Sequence, residues 1–335
     1  MTKAFAVGLL LIAAASSVRA ETPLKFSLNF RLEASNAAFF LAEDRGYYAA
    51  EGLAVTLDGA KGSADAAARL GGGAYPMGFV DINVITEFNA RNPERALQSV
   101  FMVYDLAPMA IASLTDRHIA TPPDLIGRTV GVAAGDGAYR MFPAFARLNG
   151  IDPARIKFQQ LESQLREALL IRGDVDAVIG FDYTIWPGLK AGGATPDQVV
   201  FLRYSDYGLR LYGNSIAAGR AFIDSQPDVV RRFVKAAARG WRDTYEDPAA
   251  AVDALVKRDP LLSRDTELER MRWIREHNLR APQDARNGLG SVDRERLAAG
   301  IALVAQAFEL PAMPSVDSVY TDRFLPPRED RTPRR

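Results

Sequence analysis

Polar and aromatic side chains follow several short apolar runs of this 335-residue chain, at points where strands would end. Open α/β sheets bind ligands at the carboxyl ends of their strands, where backbone N–H groups and helix amino termini face outward. The candidate ligand-binding residues at such ends are Asn29, Arg31, Ser63, Asp81, Gly135, Asp136, Gly137, Tyr139, Asp182, Tyr183 and Asp206. Carboxylates accept hydrogen bonds from N–H groups and aromatic rings stack on flat ligands, so these residue types favour an amino-substituted heteroaromatic ligand.

The residues leave the charge of the ligand open. Arg31 ends the first predicted strand and Arg140 lies near the start of a later helix, and two such arginines would suit a carboxylate or a sulfonate through bidentate hydrogen bonds. Several candidates also have a purely structural alternative. Asp81 could cap the helix that follows it, Asp136 could form a turn, and the tyrosines could be core residues.

Composition excludes several classes of site. The chain has no cysteine and only two histidines, His118 in a polar connector and His277 in a charged helix, so a thiolate nucleophile, cysteine-ligated zinc and a histidine-rich metal site are excluded. No Ser-His-Asp grouping or zinc motif is present in the sequence, and we predict no catalytic residue, no metal and no cofactor. Lys plus Arg and Asp plus Glu both total 41, without a basic block, so we expect no nucleic-acid partner.

Residues 1–20 have the features of a secretory signal peptide. Lys3 precedes the apolar run 4–15, which is too short to span a bilayer, and Val18 and Ala20 provide small residues before a cut. We predict cleavage after Ala20 and a periplasmic location. No cysteine follows the cut and no later segment is apolar for long enough to cross a membrane, so we expect neither a lipoprotein anchor nor a spanning segment.

The stretch Asp124–Gly150 shows how the fold would position such residues. Residues 128–133 are consistent with a buried strand, Gly135-Asp136-Gly137 interrupt it, and Tyr139–Leu148 has apolar residues at helical spacing. No third glycine follows at the spacing of a dinucleotide fingerprint. The pattern predicts a turn between the carboxyl end of a strand and the amino end of a helix.

The same alternation of strands and helices runs through most of the chain. Strands are predicted at 24–30, 54–57, 77–80, 97–104, 109–114, 128–133, 156–159, 175–179, 199–202 and 216–218. Four amphipathic helices are predicted after them, at 229–244, 249–257, 266–278 and 294–308. The alternation favours an α/β protein with mostly parallel sheets, in two consecutive halves separated by the polar connector Thr115–Pro123.

The order and spacing of several motifs resemble one family. These motifs are LKFSLNF, AAFFLAEDRGYYAAEGLAVTL, KGSADAAARLGGG, PMGFVD, DLIGRTVGV, LNGIDPARIKF, ALLIRGDVDAVIGFD and VYTDRFLP. They resemble the solute-binding proteins of ABC importers, in the family of the thiamine-pyrimidine-precursor, taurine, alkanesulfonate and nitrate binders. Tyr48 stands where a phenylalanine is commoner in that family.

The resemblance implies a two-lobe periplasmic-binding-protein clamshell of type II, with each lobe a mostly parallel sheet flanked by helices. Lobe one would comprise 21–112 plus 213–335 with the C-terminal helices, lobe two 113–212, and the ligand would bind between them. It implies an extracytoplasmic, monomeric protein that captures a small polar or heteroaromatic molecule, such as a pyrimidine precursor, by hinge closure. The partner would be an ABC permease with its ATPase.

Three other functions remain open on the sequence. The ligand could be a small organic anion such as a sulfonate, nitrate or an aromatic carboxylate. The same fold could serve as the ligand-sensing subunit of a membrane kinase. Relatives of the fold also include a pyrimidine-synthesising enzyme, but that enzyme uses cysteine and histidine with a pyridoxal cofactor, whereas this chain lacks cysteine.

Overall fold

A computed structural model describes residues 21–279 and 288–333, so the predicted signal peptide 1–20 lies outside the described residues. The described chain forms two five-stranded sheets. Sheet one contains β1 (Thr22–Ser27), β2 (Leu53–Asp58), β3 (Met77–Asp81), β4 (Leu97–Met102) and β10 (Asn214–Gly219). Sheet two contains β5 (Met109–Leu114), β6 (Thr129–Val132), β7 (Lys157–Gln160), β8 (Ala177–Phe181) and β9 (Val199–Arg203).

Helices cover these sheets and fill the C-terminal third of the chain. Those between the strands are α1 (Ala37–Asp44), α2 (Tyr47–Ala50), α3 (Ser63–Gly71), α4 (Ile82–Arg91), α5 (Gly137–Arg140), α6 (Phe142–Leu148), α7 (Arg166–Arg172) and α8 (Asp182–Ala191). Those after β10 are α9 (Arg220–Ser225), α10 (Pro227–Glu246), α11 (Pro248–Arg258), α12 (Arg264–His277), α13 (Arg294–Ala307) and α14 (Val316–Val319). No described helix is long and apolar enough to span a membrane.

The two sheets have the same topology, and the predicted fold class is confirmed. Their strand orders are β2-β1-β3-β10-β4 and β7-β6-β8-β5-β9. In each sheet a single strand is antiparallel to its neighbours, β10 in sheet one and β5 in sheet two. Each of these strands is the one that the chain enters directly from the other lobe, which is why its direction is reversed.

The first crossover lies earlier than the sequence predicted. Strand β5 pairs with β8 and β9 along its whole length, so it belongs to lobe two and the chain crosses at 103–108. The predicted boundary between 112 and 113, and the crossover assigned to Thr115–Pro123, are therefore too late. The chain returns between β9 and β10, and the C-terminal helices then contact both lobes: Trp186 Nε1 on α8 donates to Glu269 on α12 at 3.1 Å.

An aromatic cluster forms the centre of lobe one. Trp241 of α10 is buried and meets the rings of Phe39 and Tyr104 edge-on, with centroids 5.7 and 6.2 Å away. Tyr104 lies on the first crossover and meets the ring of Tyr183 in lobe two at 6.0 Å. The packed core therefore continues through the crossover to the base of the cleft.

Candidate functional site

The lobes close around a small cavity, which we call the inner cavity. Its walls come from both lobes: Asn29, Phe30, Glu33, Gly62 and Ser63 from lobe one, and Asp136, Gly137, Arg166, Phe181, Tyr183 and Thr184 from lobe two. The interior space open to a water-sized molecule is about 20 Å³, which is room for about one water. The structure is therefore a closed arrangement of the lobes, and a larger ligand would need them to separate.

Backbone contact between two glycines fixes how closely the lobes approach. Gly62, before α3 in lobe one, has a φ of +137°, and a Cβ atom placed there would lie 1.9 Å from the carbonyl oxygen of Gly135 in lobe two. Ala64 N donates a hydrogen bond to that same oxygen at 3.3 Å. Only glycine permits this approach at position 62.

An ion pair also joins the lobes beside the cavity. Arg140 on α5 donates to the carboxylate of Glu87 on α4, and the Glu87 side chain is only 4% exposed. Because Arg140 is engaged in this way, it does not line the cavity as the anion-binding partner that the sequence suggested.

Glu33 is the acidic residue of lobe one that borders the cavity. Its Oε1 accepts hydrogen bonds from Ser35 Oγ and from Thr184 Oγ1 of lobe two, both at 3.0 Å. Its buried Oε2 has no hydrogen-bond partner among the described residues, and the Nε of Arg270 lies 3.9 Å from it. A carboxylate oxygen is therefore free to accept a hydrogen bond at the cavity wall.

Asp136 provides the acidic group of lobe two. One oxygen accepts from Ala138 N at 2.8 Å and caps α5, and the other accepts from Arg166 Nη1 at 3.1 Å. Burial raises the pKa of Asp136, against the opposing effect of Arg166. The guanidinium of Arg166 also donates from Nε to Glu167 at 2.9 Å and from Nη1 to the carbonyl of Ile179 at 3.3 Å. Its buried Nη2 lies 2.9 Å from the Glu167 carboxylate but has no hydrogen-bond partner among the described residues.

Three aromatic rings complete the cavity. Phe30 comes from lobe one, and Phe181 and Tyr183 come from the end of β8 and the start of α8. The Tyr183 hydroxyl is buried without a hydrogen-bond partner among the described residues, and burial raises its pKa well above the usual value. It therefore remains a neutral phenol at the cavity wall.

Asp81 lies directly behind the cavity. Its Oδ1 accepts from Asn83 N at 2.8 Å and Val84 N at 3.4 Å, which caps α4, and its own N donates to Ser63 Oγ at 3.2 Å. Burial, together with the nearby charge of Asp136, raises the pKa of Asp81 to about 6, although hydrogen bonds from Asn83 and Val84 oppose the shift. Asp81 therefore caps α4 and does not itself line the inner cavity.

The structure brings most of the predicted site residues to the cleft. Asn29, Ser63, Asp136, Gly137 and Tyr183 line the inner cavity, and Arg31 and Gly135 line its outer mouth. Asp81 lies behind the wall, and three predicted residues lie elsewhere. Tyr139 packs against Phe158 with ring centroids 5.5 Å apart, Asp182 pairs with Arg203 at 3.0 Å, and Asp206 is exposed and accepts from Ser205.

The sequence did not predict six of the lining residues, namely Phe30, Glu33, Gly62, Arg166, Phe181 and Thr184. Glu33 and Phe30 border predicted residues in the loop after β1, so extending the site along that loop would have found them. Arg166 begins α7 and reaches Asp136 across the fold, which no local pattern indicates. Among the described residues, no group of three or more His, Cys, Asp or Glu could hold a metal ion.

Comparison with known families gives a match over most of the chain. The model of the family described as NMT1/THI5 like matches residues 33–251. The chain belongs to this family. The match includes every strand of the two sheets except β1, and all of the residues that line the inner cavity except Asn29 and Phe30.

Individual proteins are similar over comparable lengths. The riboflavin-binding protein RibY of Chloroflexus aurantiacus is 26% identical over 87% of this chain and 82% of its own. The formylaminopyrimidine-binding protein of Halalkalibacterium halodurans is 24% identical over 72% of each chain. Two relatives, from Aspergillus parasiticus and Legionella pneumophila, are named 4-amino-5-hydroxymethyl-2-methylpyrimidine phosphate synthase, at 24% and 25% identity.

A solved structure supports the fold assignment. The alkanesulfonate-binding protein SsuA of Xanthomonas axonopodis pv. citri, bound to MOPS, superposes with a TM-score of 0.69. The superposition covers 90% of this chain and 99% of that one, at 16% sequence identity. At this identity the likeness concerns the fold, the two-lobe architecture of periplasmic binding proteins.

Proposed function

We propose that this protein binds a small heteroaromatic molecule with N–H donors in the inner cavity and delivers it to an ABC permease. The observation that carries the proposal is the set of groups that both lobes bring to this cavity, two buried carboxylates and three aromatic rings, whose walls must move apart to admit a ring. Closure of two lobes around a ligand is a known binding motion, and pockets concentrate at such interfaces. The names of the riboflavin-binding and formylaminopyrimidine-binding relatives agree with a nitrogen-containing ring.

The charges at the cavity favour a hydrogen-bond donor over an anion. Glu33 has a carboxylate oxygen without a hydrogen-bond partner among the described residues, whereas the charge of Arg166, the cation that lines the cavity, is balanced by ion pairs with both Asp136 and Glu167. An anion in the cavity would face Glu33 and Asp136 at close range. A ring amino group or ring N–H would instead supply the proton that the free oxygen can accept.

A binding role fits this chain better than an enzymatic one. The chain has no cysteine that could act as a nucleophile. The buried carboxylate of Asp136 forms a capping hydrogen bond and an ion pair, which are structural contacts. The resemblance to importer components and the predicted export signal support an extracytoplasmic location and a permease partner.

A ligand screen by thermal shift and calorimetry tests the proposal. The panel contains riboflavin, 4-amino-5-hydroxymethyl-2-methylpyrimidine, taurine, an alkanesulfonate and nitrate. A ligand at a hundred times its Kd stabilises the fold by about 2.7 kcal/mol, so we expect a clear shift with an amino-heterocycle. A response to the anions alone would refute the heteroaromatic ligand.

A substitution links the response to the cavity. Glu33→Gln removes the charge and replaces one of the two carboxylate oxygens by an amide group. Because a buried charged hydrogen bond to the ligand is lost, binding should weaken by about 2 kcal/mol or more, about thirtyfold in Kd. Glu94→Gln, at an exposed side chain outside the cavity, serves as the control and should bind as the unmodified protein does. Equal affinities of both variants would exclude Glu33 from the site.

A further inference from the structure

The cleft continues outward from the inner cavity into a larger space, which we call the outer cleft. It is lined by Phe30, Arg31 and Lys61 of lobe one and by Gly135, Glu162 and Gln164 of lobe two, among others. Its volume is about 450 Å³, within the range of small-molecule sites and far larger than the inner cavity. Phe30 borders both spaces, so one ligand could extend from the inner cavity into the outer cleft.

Arg31 is a cation in the outer cleft without an anionic partner. Its guanidinium lies over the ring of Phe30, 4.6 Å from the centroid. The Nη1 atom is buried and has no hydrogen-bond partner among the described residues, with which Arg31 also forms no ion pair. A buried guanidinium nitrogen is normally hydrogen-bonded, most strongly to a carboxylate or a phosphate, so its isolation here points to a ligand group.

The charges change sign along the cleft. The outer cleft has two cations, Arg31 and the exposed Lys61, which forms no ion pair within the described chain, against one exposed carboxylate, Glu162. The inner cavity has two carboxylates, Glu33 and Asp136, against Arg166. A complementary ligand is therefore an N–H donor at its inner end and an anion at its outer end.

We propose that the outer cleft is an anion subsite, in which Arg31 binds an anionic substituent, a phosphate monoester, on the heteroaromatic ligand of the inner cavity. This inference rests on the proposed function, because the ring must occupy the inner cavity for the substituent to reach Arg31. A guanidinium can donate two parallel hydrogen bonds to a phosphate, and a dianionic ester complements the two cations. The polar amides and hydroxyl of Gln160, Gln164 and Ser163 can supply further hydrogen bonds.

Calorimetry with matched ligand pairs tests the subsite. The pairs are riboflavin with riboflavin 5′-phosphate, and 4-amino-5-hydroxymethyl-2-methylpyrimidine with its phosphate. In at least one pair the ester should bind about tenfold more tightly than the parent, and added salt should reduce this preference because part of the subsite is exposed. Arg31→Gln should abolish the preference for the ester over its parent.

The control is Arg239→Gln. Arg239 is also half-buried and lies over an aromatic ring, that of Tyr47 at 4.0 Å, but it lines neither space of the cleft. This variant should retain the preference for the ester. If the parent binds as well as its ester in both pairs, or if Arg31→Gln weakens the binding of parent and ester equally, the anion subsite is refuted while the proposed function stands. If no member of either pair binds, both proposals fail.

Discussion

Replacing Asp81 by asparagine should remove a pH-dependent destabilisation of the folded protein. Asp81 is fully buried at the end of β3, and burial raises the pKa of its carboxyl from 3.8 to about 6, with Asp136 adding to the shift. Asparagine keeps an oxygen that can accept from Asn83 N and Val84 N, so the cap of α4 should survive. The substitution thus removes the titration with little change in shape.

The sign follows from proton binding in the two states. Because the pKa is higher in the folded state, the folded state binds more protons between pH 3.8 and about 6. The stability associated with Asp81 is therefore present below pH 3.8 and is lost as the pH rises through about 6. The full loss is about 3 kcal/mol, of which about 1.3 kcal/mol develops between pH 5 and pH 7.

Urea unfolding at pH 5 and pH 7 measures this effect as the stability difference between Asp81→Asn and the unmodified protein. We expect the variant to gain about 1.3 kcal/mol relative to the unmodified protein on going from pH 5 to pH 7. Asp243→Asn is the control: burial alone would raise the pKa of Asp243, but hydrogen bonds from Tyr47, Arg242 and Arg45 outweigh burial and lower it. The effect of Asp243→Asn on the free energy of unfolding should therefore be the same at pH 5 and pH 7. A constant difference for Asp81→Asn as well would refute the reasoning.

Two further predictions concern closure of the lobes. Gly62→Ala should weaken binding of any heterocycle that the screen identifies by about tenfold or more, because its Cβ would lie 1.9 Å from the Gly135 carbonyl oxygen in the closed form. Gly73→Ala, also at positive φ but in open space, should bind normally in calorimetry, and an equal loss would exclude the clash as the cause. Arg140→Gln should reduce affinity only a few-fold, because its side chain is 41% exposed and solvent screens its ion pair with Glu87. An unchanged affinity at low ionic strength would exclude this pair from closure.

The sequence located every strand of both sheets, and most of them are short apolar runs between turn residues, although β7 is mostly polar and exposed. The predicted ends of strands and helices were less accurate next to the cleft. Strand β1 stops at Ser27 rather than Phe30, and Asn29 and Phe30 line the cleft beyond it. Helix α8 begins at Asp182 rather than Trp186. The helix predicted at 139–148 divides at Met141, two residues before Pro143, which lacks a backbone N–H.

The sequence predicted candidate site residues only where they follow the end of a predicted strand. Asn29, Ser63 and Asp136 follow strands closely and line the cavity. Asp182 and Asp206 also follow strands, but the first is neutralised by Arg203 and the second faces solvent. Glu33 and Arg166 have their roles through partners distant in sequence, Thr184 and Asp136, and such pairing is set by the packing of the lobes rather than by local pattern.

Under the proposed function, Glu33 connects ligand recognition with closure. One of its oxygens accepts from Thr184 of the opposite lobe, a hydrogen bond that forms only when the lobes approach, and the other is free for a ligand N–H. A buried carboxylate oxygen without a hydrogen bond is costly, and the ion pair with Arg270 at 3.9 Å offsets that cost only in part, so closure without a ligand leaves some of the desolvation cost of Glu33 uncompensated. A ligand that donates a hydrogen bond to this oxygen compensates that cost and therefore favours the closed form, whereas a ligand without a donor does not. The same residue thereby makes closure selective for the ligand class that we propose.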